Sequence, residues 1–165
     1  MHAPRPLLPG LIWILLVMSP APVQAESISI MVVVGHDDPR EHMDRAVLAR
    51  IYRRQTRLSR TRKPISPVNL PASHPLRRAF SKSLFGRWPK EMSGFWTRSY
   101  FQGISPPYVL QSQEAVLRFV SHTPGAIGYV AECRIDGRVK TLLRIAAAIP
   151  DAENSRKKIC LTDNH

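Results

Sequence analysis

The stretch TPGAIGYV, from Thr123 to Val130, decides the fold. The preceding SQEAVLRFVSH has its apolar residues at helical spacing. Pro124 cannot continue that helix, and Gly125 can adopt the positive φ that closes one. AIGYV is then a buried strand, in which Gly128 marks a close approach of another part of the chain to the backbone. The stretch therefore predicts a helix that ends and leads directly into a core strand.

The same alternation of strand and helix extends over the rest of the chain. Strands are predicted over 27–35, 64–71 and 137–147, the last after an Asp136-Gly137 turn that favours a hairpin. Further helices are predicted over 40–55, 74–86 and 89–103. Residues 151–165 are polar and predict a loose tail. The sequence therefore predicts an α/β layered domain over 26–150.

Residues 1–25 predict a signal peptide, because one basic residue precedes a short apolar run and small residues lead to a cleavage site after Ala25. A membrane anchor is the alternative, but the apolar run is too short to span a bilayer and prolines flank it. We therefore expect an exported protein, periplasmic or secreted, of roughly 140 residues, enough for one hydrophobic core.

Both cysteines, Cys133 and Cys160, follow the signal peptide, and disulfides persist in exported proteins. A bond between them would close a loop of roughly 27 residues and stabilise the fold by about 3 kcal/mol. Two free buried thiols are the alternative, and the sequence favours the bond.

The net charge of +12 indicates a partner of negative charge. For an exported domain that partner is a small anion, an anionic lipid or a polyanionic surface polymer, and we expect no binding of nucleic acid. The strongest local feature is a loop from Arg53 to Lys63, which contains no acidic residue. The alternative is a solvated loop whose charge only aids solubility.

The motifs of enzymes are absent from the sequence: it contains no Gly-x-Ser-x-Gly elbow, phosphate-binding glycine loop or His-Glu-x-x-His. HDDPREH, residues 36–42, brings histidines and acids together, but helix capping by Asp37 and Asp38 explains the acids. We therefore expect no catalysis, no cofactor and no metal site.

An anion site is suggested at the helix that Pro75 opens, since helix N-termini present unpaired N–H groups and a positive dipole end. Ser73 and His74 could add donors there, and Arg77 lies in the first turn. Ordinary capping by Ser73 is the alternative. A dense aromatic group nearby is expected to form core: Phe80, Phe85, Trp88, Phe95, Trp96, Tyr100 and Phe101.

The order of these segments resembles the substrate-binding family of phosphate ABC transporters, above all its short, single-domain members. The resemblance extends from about residue 30 to 130, through IMVVVG, AVLARIY, NLPASHPLRRAF and FWTRSYFQG to PGAIGYV, its most specific part. Arg53, Arg54 and Leu58 stand where the family usually has a glycine and a tryptophan, and of its Ser-Gly-Thr motif only Ser73 supplies a matching hydroxyl.

The resemblance implies one lobe of a type II periplasmic binding protein, with a central mixed sheet flanked by helices. It implies binding of phosphate or a related oxyanion by Ser73, His74 and Arg77, with Asn69 at the end of the preceding strand, and delivery to an ABC permease or another envelope protein. The alternative is a degenerate lobe that uses its basic surface as an interaction or structural module in the cell envelope.

Overall fold

The computed structural model describes residues 27–59, 62–149 and 152–161, so the signal peptide predicted at 1–25 lies outside the described residues. Five strands and five α-helices are described, with short 3₁₀ turns at Pro89–Met92 and Glu132–Arg134. In chain order they are β1 Ser27–Gly35, α1 Arg45–Tyr52, β2 Ser66–Asn69, α2 Pro75–Phe85, α3 Ser93–Tyr100, β3 Tyr108–Val109, α4 Gln113–His122, β4 Ala126–Ala131, β5 Val139–Ala148 and α5 Ala152–Leu161.

The five strands form one mixed sheet in the order β3-β2-β4-β1-β5. β2 is parallel to both β3 and β4, whereas β1 is antiparallel to both β4 and β5. The two central strands are the most apolar: all six residues of β4 are buried, and Ile30, Val32, Val33 and Val34 of β1 are completely buried. The mixed sheet and its flanking helices confirm the expected fold class.

Gly128 explains how α4 packs on the sheet. A Cβ at this position would lie 2.5 Å from Val116 and 3.1 Å from Val120, both on α4. Only a residue without a side chain lets the helix approach so closely. Neighbouring residues of a strand point to opposite faces, so Tyr129 lies on the other face of the sheet from α4.

An aromatic cluster fills that second face. The Tyr129 ring stacks on Phe80 of α2 at a centroid distance of 3.8 Å, and Tyr52 of α1 meets Phe80 edge-on at 4.9 Å. The Tyr52 hydroxyl donates to the carbonyl oxygen of Val68 at 3.0 Å, which satisfies its polar end inside the core. α1 and α2 therefore cover the face opposite to α4.

Two predicted connections differ in the structure. The first helix begins at Arg45 and not at residue 40, because Asp38 binds Arg40 in a local turn and does not cap a helix. The hairpin expected at Asp136-Gly137 is also wrong, because β5 pairs with β1 and β1 separates it from β4. The Asp136 turn does form, but it leads into a crossover between distant strands.

Residues 151–165 were expected to be a loose tail, but the described part of this segment, Ala152–Leu161, forms α5. A disulfide joins Cys160 of α5 to Cys133, as the sequence favoured. Ile159 is completely buried, and its carbonyl oxygen accepts a hydrogen bond from the Gln113 side chain at 2.7 Å. These contacts hold a polar helix that local sequence patterns do not reveal.

The aromatic group expected in the core divides in two. Phe80 is completely buried, and Phe85, Trp88, Phe95 and Trp96 are half-buried. Tyr100 and Phe101 are instead 68% and 83% exposed, so the expectation is wrong for them. They stand at the end of α3, in which Ser99 is the one buried residue.

Candidate functional site

The candidate site is the N-terminal turn of α2, which follows the end of β2. His74 caps the helix: its Nδ1 accepts the Leu76 N–H at 3.1 Å, so the alternative interpretation, capping by Ser73, is wrong. Pro75 has no N–H to offer, and the Arg78 N–H bonds the His74 carbonyl oxygen at 3.1 Å. The Arg77 N–H is therefore the first-turn amide left for a ligand within the described residues.

Ser73 supplies a second donor at this turn. It is exposed in the tight turn that places the His74 N–H 2.9 Å from the Pro71 carbonyl oxygen. Because His74 caps the start of α2, the Ser73 hydroxyl is not needed as an N-cap. It can donate to a group that approaches from solvent.

Arg77 is the feature of this turn that ordinary folding does not explain. Its side chain is 8% exposed, and its Nη1 is buried without a hydrogen-bond partner among the described residues. A guanidinium is always charged, and a buried charge is costly unless an anion or hydrogen-bond acceptors surround it. Arg77 is therefore a buried cation whose Nη1 can bind an anion.

Tyr129 connects Arg77 to the end of β2. Its hydroxyl donates to Asn69 Oδ1 at 3.4 Å and accepts the Leu70 N–H at 3.2 Å. Burial raises the pKa of Tyr129 to about 12, against a smaller lowering by the positive charge of Arg77. Asn69 and Arg77 thus lie in one polar neighbourhood, but Asn69 is 3% exposed and its side-chain oxygen is occupied.

Tyr129 was not among the predicted site residues. A tyrosine in AIGYV is typical of a core residue, and the strand periodicity gives no signal that its hydroxyl would reach the end of a strand 60 positions earlier. The pairing of β2 with β4 brings the two together, which only the sheet order reveals.

Two concave regions lie elsewhere, at the opposite edge of the sheet. One cavity of about 260 Å³ lies between the end of β1, the basic loop and the end of α4. A groove of about 580 Å³ runs along residues 39–51 and 56–59 and reaches Ile65. Neither region includes a predicted ligand residue.

In the segment HDDPREH, residues 36–42, the carboxylate of Asp38 is paired with Arg40. Asp38 accepts from Arg40 Nε at 2.7 Å and from Nη2 at 2.6 Å. Burial raises the pKa of Asp38, but these hydrogen bonds outweigh it and leave the pKa below its ordinary value. Within the described residues no three histidines, cysteines or acids are grouped as metal ligands.

Two arginines of the basic loop, which extends from Arg53 to Lys63, are held by contacts within the protein. The Arg53 guanidinium lies over the Phe85 ring, 5.1 Å from its centroid, and Arg54 donates to the Ile65 carbonyl oxygen at 3.1 Å. Leu58 and Pro64 form an isolated bridge that closes the loop. Arg60 lies outside the described residues.

The sequence matches no protein-family profile and no curated protein sequence. Solved structures do match. An ABC-type phosphate transport receptor from Vibrio cholerae aligns with 70% of this chain at a TM-score of 0.59 and 22% identity. A protein from Clostridium perfringens, solved with bound phosphate and assigned to the substrate-binding proteins of phosphate ABC transporters, aligns with 81% at a TM-score of 0.59 and 15% identity.

The fold is that of the phosphate-binding proteins of ABC transporters. A possible phosphate-binding protein from Planctomyces limnophilus agrees, with a TM-score of 0.55, 15% identity and 72% of this chain aligned. This confirms the resemblance drawn from the sequence. The alignments cover 46%, 61% and 42% of the three matched chains, so this chain spans about half the length of these phosphate-binding structures.

Among the helices that the structure describes, none is long and apolar enough to cross a bilayer.

Proposed function

We propose that the chain is an exported solute-binding protein that holds phosphate or a related oxyanion at the N-terminal turn of α2 and catalyses no reaction. The observation that carries the proposal is the buried guanidinium of Arg77, which has no hydrogen-bond partner for Nη1. A guanidinium matches the geometry of phosphate and other oxyanions, which it binds through parallel N–H···O bonds.

The surroundings of Arg77 suit an anion. The dipole of the 11-residue helix α2 places partial positive charge at this turn, and the Arg77 N–H and the Ser73 hydroxyl add donors. Between residues 64 and 112 the sole acid is Glu91, and its carboxylate accepts the Trp88 N–H at 2.6 Å. No carboxylate of this stretch therefore competes with the ligand or serves as a general base.

The partial coverage of the solved structures agrees with a site that a second body completes. The chain aligns with about half of each phosphate-binding structure, so those proteins have a further part that this chain does not match. We infer that an ABC permease or another envelope protein covers the bound ion. Export rests on the signal peptide predicted at residues 1–25.

The test is calorimetric titration of the chain from Glu26 to His165, which retains every described helix and strand, with phosphate and with sulfate as the control ion. We expect saturable binding of phosphate that survives moderate salt. Arg77→Met should weaken it by about 10- to 100-fold, the worth of charge-assisted hydrogen bonds. Ser73→Ala should weaken it by up to about tenfold.

Arg78→Met is the matched control, because Arg78 is exposed and one residue further along the same helix. Methionine fills the space of either arginine without a charge, so both variants keep the fold. An equal loss in the two variants, or heat that vanishes with salt for both ions, would mean non-specific attraction to a basic surface. Unchanged affinity in Arg77→Met would exclude this site.

A further inference from the structure

A second surface of the molecule lies where α3 ends. We name residues 100–109, from the end of α3 through β3, the aromatic segment; its sequence YFQGISPPYV contains no charge. Half of the large apolar side chains exposed among the described residues belong to it: Tyr100 at 68%, Phe101 at 83%, Tyr108 at 73% and Val109 at 54% exposed. Such concentration on one short segment is typical of a surface that another body covers.

The aromatic segment is held in this exposed position. The Ile104 N–H bonds the Ser99 carbonyl oxygen at 2.9 Å, and the Leu110 N–H bonds the Asn69 carbonyl oxygen at 2.7 Å. Gly103 adopts a positive φ of 72°, which turns the chain sharply after α3. Tyr108 pairs with Val68 at the edge of the sheet, and β3 has no second neighbour within that sheet.

The charge of the chain that leads to the aromatic segment identifies the kind of partner. Five exposed cations lie between the start of α2 and the end of α3, against the single acid Glu91: Arg78, Lys82, Arg87, Lys90 and Arg98. Arg78 and Lys82 both lie 5.3 Å from the centroid of the Trp88 ring. Like charges of this density oppose pairing of two copies through this surface and attract an anionic one.

We propose that the aromatic segment and the cations beside it bind the surface of an anionic lipid bilayer. Tyrosine and phenylalanine side chains enter the interface between lipid headgroups and acyl chains, and each Lys or Arg near an anionic surface adds to the attraction. The binding is peripheral and does not use Ser73 or Arg77, so it is independent of the proposed function.

The test uses vesicles of phosphatidylcholine alone and of an equal mixture with phosphatidylglycerol. In the chain from Glu26 to His165 the two tryptophans are Trp88 and Trp96, both half-buried beside the proposed surface. We expect a blue shift of their fluorescence and co-sedimentation with the anionic vesicles only, both reduced by salt. Tyr100→Ser with Phe101→Ser should weaken the partition by about tenfold or more, because two large side chains no longer enter the interface.

The charges are tested by a matched pair of variants. Lys90→Gln with Arg98→Gln should weaken binding several-fold, whereas Lys63→Gln with Lys157→Gln, which removes the same charge from exposed sites elsewhere, should change it less than twofold. Equal losses in the two pairs, or full binding by the Tyr100→Ser, Phe101→Ser variant, would overturn the proposal. So would a dimer in sedimentation that this variant abolishes, since a second copy would then cover the segment.

Discussion

Arg77 brings a full positive charge into the interior beside Tyr129 and leaves part of it without an acceptor. The carboxylate of Glu114, in contrast, is paired near the surface. Glu114 accepts from both terminal nitrogens of Arg138 at 2.9 Å, and Arg118 one turn along the same helix reaches it at 2.9 Å. The charge of Glu114 therefore supports folding, whereas the fold alone does not use the charge of Arg77.

The Glu114 pairing gives a prediction for acid stability. Hydrogen bonds from Arg138 are the largest cause that lowers the pKa of Glu114, from 4.5 to about 2. A carboxylate with a lowered pKa in the folded state stabilises the fold above the unfolded value, and that contribution is lost as the pH falls from about 4.5 to about 2. Glu114→Gln should therefore show a shallower loss of stability over this range.

The measurement is the urea midpoint of wild type and Glu114→Gln at intervals from pH 6 to pH 2. Asp37→Asn is the control, since Asp37 is exposed and makes no ion pair among the described residues. Its curve should follow that of wild type. Curves for Glu114→Gln that run parallel to wild type throughout would contradict the assignment.

At the scale of elements, local signals placed most of the fold correctly. β1 has the bounds predicted by its run of β-branched residues. α2, predicted over 74–86, extends from Pro75 to Phe85 between the caps His74 and Gly86. The failures arose where distant contacts decide. α5 depends on a disulfide and on the side chain of Gln113, and the partner of β5 depends on sheet order, neither of which a local pattern contains.

Gly125 and Gly86 show two different reasons why a position requires glycine. Both adopt a positive φ, 81° and 69°, but a Cβ at Gly125 would lie 2.2 Å from the Pro64 carbonyl oxygen and one at Gly86 would meet nothing within 4 Å. Gly86→Ala should therefore cost about 1 kcal/mol of unfolding free energy, from the backbone conformation alone. Gly125→Ala should cost about 3 kcal/mol or more, because the clash with a backbone atom is added.

Urea unfolding of the two alanine variants measures this difference directly. A similar cost at both positions would mean that the loop before β2 moves away from Gly125 freely. In that case the junction between α4 and β4 would be less tightly fixed than the structure indicates.

At the scale of the whole molecule, one disulfide fastens the last helix to the turn after β4. The family resemblance implied the sheet and its flanking helices, and the solved structures agree, but the resemblance ended near residue 130 and gave no information on α5. Of the predicted ligand residues, Arg77 and Ser73 lie at the N-terminal turn of α2, whereas Asn69 accepts a hydrogen bond from Tyr129 and His74 caps the helix. Their role in binding stays a prediction.

Replacement of both cysteines, Cys133→Ser with Cys160→Ser, should lower the free energy of unfolding by about 3 kcal/mol, because the closed loop restricts the unfolded chain. Amide hydrogen exchange should accelerate first in α5, which the bond holds in place, and least in the central strand β1. Equal acceleration in α5 and β1, or an unchanged unfolding free energy, would show that Ile159 and Gln113 suffice to fix the helix.

The pairing of β1 with β5 affects the order in which the sheet forms. The strand made first pairs along its whole length with β5, whose last residue, Ala148, is 121 positions after Ser27. Contacts so far apart in the chain form slowly. β1 therefore lacks its partner on this side until residues 139–148 have been synthesised, and the sheet is completed only after that.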